Sequence, residues 1–97
     1  MKPKFDKNHP NVLLCPKCGN NNLHQFKVET FARVEDSAKG IHVIVEGTDI
    51  MKLDNDMSGN PSARRDGVSI HFSCESCPQV SVLTVVQHKG TTYLEMN

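Results

Sequence analysis

Cys15-Pro16-Lys17-Cys18-Gly19 and Cys74-Glu75-Ser76-Cys77-Pro78 contain all four cysteines of the chain. Two residues separate the members of each pair. That spacing lets both thiolates of a pair point at one cation while nearby backbone N–H groups bond to the sulfurs. Two such pairs supply four thiolates, the closed tetrahedral shell that a structural Zn²⁺ prefers. The expected ligands are therefore Cys15, Cys18, Cys74 and Cys77, holding one structural Zn²⁺.

The compartment matters to this reading. Met1-Lys2-Pro3-Lys4-Phe5-Asp6 is charged and lacks the apolar run of a signal peptide, and no stretch is long and apolar enough for a bilayer. A cytoplasmic location without a membrane partner is expected, where thiols stay reduced and bind metal. In a secreted protein the same four cysteines would read as two disulfides.

A chain of 97 residues makes one domain, and its apolar fraction of 37% is low for a globular chain. With no Trp and four Phe, few large side chains are available for a core. Small domains of this kind often need a staple, and metal binding would count directly as folding free energy.

Outward from the cysteines, residues 1–11 are polar and read as a flexible N-terminal arm, with the domain spanning 12–97. Val12-Leu13-Leu14 is a short apolar strand entering the first pair. Leu23 to Val34 reads as a strand: Phe26, Val28, Ala32 and Val34 share one parity, and Lys27, Glu29 and Arg33 the other. Phe31 breaks that alternation and is expected to face a second layer. Ile41-His42-Val43-Ile44-Val45 is rich in β-branched residues, and strand character continues to about Leu53, interrupted at Gly47. Asp54 to Gly67 has no period and reads as a long loop with a free tip, of the kind that is either functional or disordered. Val68, Ile70 and Phe72 alternate with Ser69, His71 and Ser73, a half-buried strand leading into the second pair. Gln79 to Gln87 and Thr91 to Met96 flank a turn at His88-Lys89-Gly90. No stretch has helical periodicity. The expected fold is all-β, with an antiparallel hairpin inserted at about 23–67 and a small two-layer packing.

The two cysteine pairs, each fed by a strand, resemble the zinc ribbon group. Asn60-Pro61-Ser62-Ala63-Arg64-Arg65-Asp66-Gly67, Ile70-His71-Phe72-Ser73-Cys74 and Gln87-His88-Lys89-Gly90-Thr91 also resemble small uncharacterised zinc-ribbon proteins of bacterial phages and mobile elements. The resemblance implies a structural metal and no assigned activity. The 55 residues between Cys18 and Cys74 exceed the usual ribbon spacing, so the middle is an elaboration.

The chemistry expected is binding rather than catalysis. A catalytic zinc keeps an open position and usually takes His or carboxylate ligands, whereas four thiolates close the shell. A thioredoxin-like redox pair would need a helix in a βαβ setting. The five histidines are scattered; His71, three residues before Cys74, is expected at the surface or supporting the cysteine ligands from behind, and His88 at the surface. Arg64 and Arg65 are the best candidate contact for phosphate, since guanidinium groups bind it bidentately. The competing reading is a solvated pair, or one neutralised by Asp66 and the acidic middle.

Lys plus Arg equals Asp plus Glu, but the charge is uneven. Residues 1–33 carry six cations against two acids, and residues 34–62 two against six. The basic first third favours DNA or RNA, contacted through Lys17, Arg64 and Arg65. Overall neutrality and the acids between 46 and 56 favour a protein–protein adaptor, and a thiolate zinc or redox sensor is a third alternative. Oligomeric state stays open.

Overall fold

The computed structural model describes all 97 residues. Six strands form one antiparallel sheet: β1 (Leu23–Ala32), β2 (Ile41–Glu46), β3 (Asp49–Asp54), β4 (Gly67–Cys74), β5 (Val80–His88) and β6 (Thr91–Met96). Their spatial order is β3-β2-β1-β4-β5-β6. The β2–β3 hairpin is the expected insert; it pairs with β1 and lengthens the sheet on that side. Gly47 turns the hairpin at a φ of +63°, in the left-handed region where a side chain is disfavoured. The chain contains no helix long and apolar enough to cross a membrane.

The architecture is a single sheet, not the two-layer packing expected. The molecule is flat, 41 × 32 × 17 Å. The second layer anticipated beneath Phe31 is the loop between β3 and β4 instead. Phe31, 1% exposed, lies on the same side as Gly67, where Gly59 approaches its ring. This loop is ordered. Asn60 Nδ2 donates to the Arg65 carbonyl at 2.8 Å, and Ser62 Oγ donates to Asp66 O at 2.6 Å while accepting from Gln87 N at 2.9 Å. The free tip expected from composition is thus pinned, because local side chains satisfy the backbone groups that no strand partner reaches.

Side chains alternate across the sheet, so the register sorts them onto two faces. On one face, two rows cross all six strands. Ile50, Val45, Val28, Ile70, Leu83 and Met96 form the first, and Leu53, Val43, Thr30, Val68, Val85 and Leu94 the second. Every Asp, Glu and Lys of the strands lies on the opposite face: Lys27, Glu29, Glu46, Asp49, Lys52, Asp54 and Glu95. A bulge between Gln25 and Lys27 reaims Phe26, which counted with Val28 by parity. Its ring lies edge-on to His71 on the charged face, with centroids 6.2 Å apart.

Residues 1–14 double back on themselves. Leu14 N donates to Lys4 O at 2.9 Å, Asp6 N to Val12 O at 3.0 Å, and Phe5 bridges Leu13. Met96 N then donates to Met1 O at 2.8 Å, joining the chain start to the outer edge of β6.

Gly67 is the tightest steric point between sheet and loop. A Cβ there would lie 2.2 Å from Asn60 Oδ1 and 3.0 Å from the Pro61 ring. Gly67→Ala should therefore destabilise the protein by about 1–3 kcal/mol, the usual cost of overpacking. Chemical denaturation would show this as a lower midpoint with an unchanged slope.

Candidate metal centre and charged face

β1 and β4 set the metal site. Their register places Leu23 opposite Cys74, and Glu75 N donates to Asn22 O at 3.1 Å. This brings the second cysteine pair beside the turn that follows the first. In that turn Gly19 adopts φ +80°, Gly19 N donates to Cys15 O at 2.9 Å, and Cys15 N to Asn20 O at 2.8 Å. The four Sγ atoms lie within 4.8 Å of one another. Cys15 and Cys77 are 3.8 Å apart, and Cys18 and Cys74 3.5 Å. Four sulfurs about 2.3 Å from a shared ion at tetrahedral angles are about 3.8 Å apart. The donor set therefore fits one metal ion.

Backbone donors support the same role. Lys17 N points at Cys15 Sγ and Ser76 N at Cys74 Sγ, both at 3.4 Å. These equivalent contacts, two residues beyond the first cysteine of each pair, favour thiolates over thiols. Without a cation the four sulfurs cannot all ionise together. Burial pushes the Cys15 thiol up, but the Cys18 and Lys17 N–H groups and neighbouring thiols outweigh it, leaving a pKa of about 6. At Cys18 the Asn20 N–H favours the thiolate, but loss of water and the adjacent sulfurs win and push it up to about 12. A bound cation would relieve that conflict, and the closed shell would serve as a cross-link.

The predicted contact residues do not converge. Lys17 is exposed at the cysteine end. Arg64 and Arg65 precede Gly67, the first residue of β4, whereas Cys74 is its last. The two ends are thus about 25 Å apart at the usual rise per strand residue. Arg64 grips Asp36 bidentately, through Nε to Oδ1 and Nη2 to Oδ2, the latter at 2.7 Å. Arg65 Nη2 lies 2.9 Å from Glu35. The neutralising acids come from the β1–β2 loop rather than from Asp66. The Arg64 hydrogen bond, followed by the surrounding arginine charge, holds the Asp36 carboxyl below its ordinary value. Arg64, Arg65, Glu35, Gln87, His88 and Lys89 together line a small cleft.

Three features of this region escaped sequence reasoning. Arg33, read as a polar strand residue, lies just beyond β1 and ties the loops together. It donates to Arg65 O at 3.2 Å, Ser37 O at 3.2 Å and Ser62 O at 2.8 Å, while its backbone N–H donates to Asp66 Oδ1 at 2.8 Å. Lys89 joins the arginines because the β5–β6 turn ends beside their loop, a pairing no local pattern encodes. The third is a network on the charged face. His42 stacks on Phe31 with centroids 4.4 Å apart, and its ring nitrogens lie 2.9 Å from Asp54 and 3.1 Å from Glu29. The second Glu29 oxygen lies 3.2 Å from His71 Nε2. His71 is therefore half-buried in this network rather than at the surface, whereas His88 is exposed as expected.

No family model, curated protein or solved structure matches this chain.

Cys74→Ser should abolish stoichiometric metal binding. Hydrogen exchange should show faster opening at residues 15–22 and 74–80 than in the β2–β3 hairpin, which makes no contact with the cysteine cluster. Uniform loss of protection would show instead that the metal governs the whole sheet.

The Glu29 network predicts a pH dependence. Burial acts to raise the Glu29 carboxyl, but hydrogen bonds from His42 and His71 and the charge of Lys27 outweigh it and lower its pKa. A lowered folded-state value means stabilisation present above the unfolded pKa of 4.5 and lost as pH falls through the folded value. Glu29→Gln should cost about 1–3 kcal/mol at neutral pH, the range for disturbing a buried hydrogen-bonded carboxylate. In paired denaturation curves the wild-type advantage should shrink on acidification below 4.5; a constant difference would remove this ionic contribution.

Proposed function

We propose that this is a small accessory protein of the zinc-ribbon type, held by one structural Zn²⁺, that binds the phosphate backbone of DNA or RNA. Four thiolates at tetrahedral spacing match the preference of Zn²⁺ for soft ligands in a closed shell. Metal analysis of protein purified under reducing conditions should find about one zinc per chain.

The observation that carries the nucleic-acid reading is the cleft at the arginine end. Arg64, Arg65 and Lys89 supply three cations against two carboxylates, Glu35 in the cleft and Asp36 paired with Arg64, with His88 as a further donor. Its volume of about 130 Å³ suits a phosphate group. Glu35 and Asp36 hold the guanidinium groups in place, and an incoming phosphate would compete with them for the same N–H donors. Arg33 pins the loop, so the donors are positioned before binding and little ordering entropy remains to be lost. Lys17, at the other end of the sheet, would meet a different part of an extended strand.

A protein-adaptor reading has its own support. β3 is an edge strand with an unpaired side, where a partner strand could add, and Ile50, Met51 and Leu53 are each at least 60% exposed.

Fluorescence anisotropy with mixed DNA and RNA oligonucleotides at several salt concentrations separates these readings. Arg64→Ala combined with Arg65→Ala should weaken binding and reduce the log–log salt slope by about 0.9 per lost duplex-DNA contact, with zinc content unchanged. Absence of wild-type binding at low salt would eliminate the nucleic-acid reading. Salt-sensitive binding that survives the double substitution would move the contact to the N-terminal lysines.

A further inference from the structure

Beyond one corner, the two apolar rows have no covering layer within the chain. Met96 and Ser81 on that face are fully buried, at the corner where Met1 meets β6. Elsewhere the central members are mostly half-buried and the outer ones exposed: Val45 is 38% exposed, Leu94 48%, Leu53 68% and Ile50 69%. We propose that this face packs against the same face of a second copy, so that the working protein is a two-sheet homodimer.

Area is the first argument. The chain exposes 6379 Å² at a mass of 10.8 kDa. A folded monomer of that mass exposes about 5,500 Å² by the usual scaling. The excess, about 900 Å², is close to the ~800 Å² that each partner buries in a standard stable interface.

Charge is the second argument. The strands contribute no Asp, Glu, Lys or Arg to this face, so they give it no pattern to select a partner of opposite charge. A two-fold axis makes one patch meet its own image, and an uncharged apolar patch is compatible with itself without any like-charge contact.

Shape is the third. Two twisted sheets pack face to face about 10 Å apart with strands inclined by about 30°. Rows crossing six strands span about 24 Å at the usual strand spacing, enough for such a core. The loop carrying Arg64 and Arg65 packs on the opposite side, against Phe31 and Gly67. The pairing therefore leaves both arginine clefts free and does not depend on the phosphate reading.

Sedimentation equilibrium of the metal-loaded wild-type protein across the micromolar range should give twice the chain mass of 10.8 kDa. Val45→Lys with Leu94→Lys should reduce it to a single chain mass while keeping metal content and the far-ultraviolet spectrum. Leu53→Lys, at a more exposed position, should weaken association by at least tenfold. Small-angle scattering tests the geometry on the wild type alone, whatever the variants' folding. A face-to-face dimer should keep a longest dimension near 41 Å, whereas pairing through the β3 edge would lengthen it markedly. A wild-type monomer throughout the range would overturn the proposal and leave the face to a different protein. A dimer that persists in folded Val45→Lys, Leu94→Lys protein, or an elongated scattering profile, would overturn it in favour of edge pairing.

Discussion

Leu23 lies opposite Cys74, and most of the molecule depends on that pairing of β1 with β4. The two strands are separated by the whole β2–β3 insertion, so their contact closes a long loop at an entropic cost. Once made, it delivers the second cysteine pair to the first at one end. At the other it sets Gly67 beside Phe31, which seats the arginine loop. In the middle it places Glu29 across from Ser69, within reach of His71 one pleat away. A metal bound by the four thiolates would stabilise this pairing more than any other, because its ligands flank both strands. The insertion is tolerated for the same reason: β2 adds to the free side of β1 without disturbing the β4 side.

The segregation of charge between the faces follows from alternation maintained across six strands. Its consequence is unusual for a small domain. The fully buried apolar side chains are few, with Phe31 and Met96 the largest, and they lie on opposite faces, one on an interior strand and one on an edge strand. Phe31 is covered by the arginine loop and stacked on His42, while Met96 is buried where the chain start reaches β6. Neither is the centre of a core. The sheet is held by its backbone ladder and two small local clusters, to which a metal bound by the cysteines would add, with a broad apolar surface left between them.

Much of this was legible in the sequence, for identifiable reasons. The cysteine spacing is a local signal with a definite chemistry, and it picked out the four side chains that the fold clusters. Period-two alternation is equally local, and it located β4, β5 and β6 closely and the start of β1. What could not be read was register. Val28 and Glu29 were assigned to opposite faces correctly, but nothing in the order of residues states that His42 will lie between Glu29 and Asp54. The same gap hid the role of Arg33, whose three carbonyl partners belong to two loops. Parity counting puts Phe26 with Val28 because it cannot detect a bulge, a one-residue departure. The loop from 55 to 66 was read as free because its order comes from Asn60, Ser62 and Arg33, and only assembly reveals side chains bonding to distant backbone.

The two ends of the sheet achieve rigidity by different means, and this bears on how the molecule can work. At the cysteine end, a closed thiolate shell would saturate the ion and leave it no free position, so that end is suited to architecture. At the arginine end, cohesion comes from Arg33 and from ion pairs between exposed side chains. Arg64 and Asp36 are each more than half exposed, and such pairs contribute little net stability in water because solvent screens them. Little would therefore be lost if an external anion, as proposed, replaced Asp36 or Glu35 as partner. Arg33 is different, since its carbonyl acceptors are partly buried and no incoming phosphate can substitute for them. The loop backbone can stay fixed while the arginine side chains exchange partners. A binding cleft needs that combination of a rigid frame and replaceable internal counterions, and here adjacent residues of a single loop supply both.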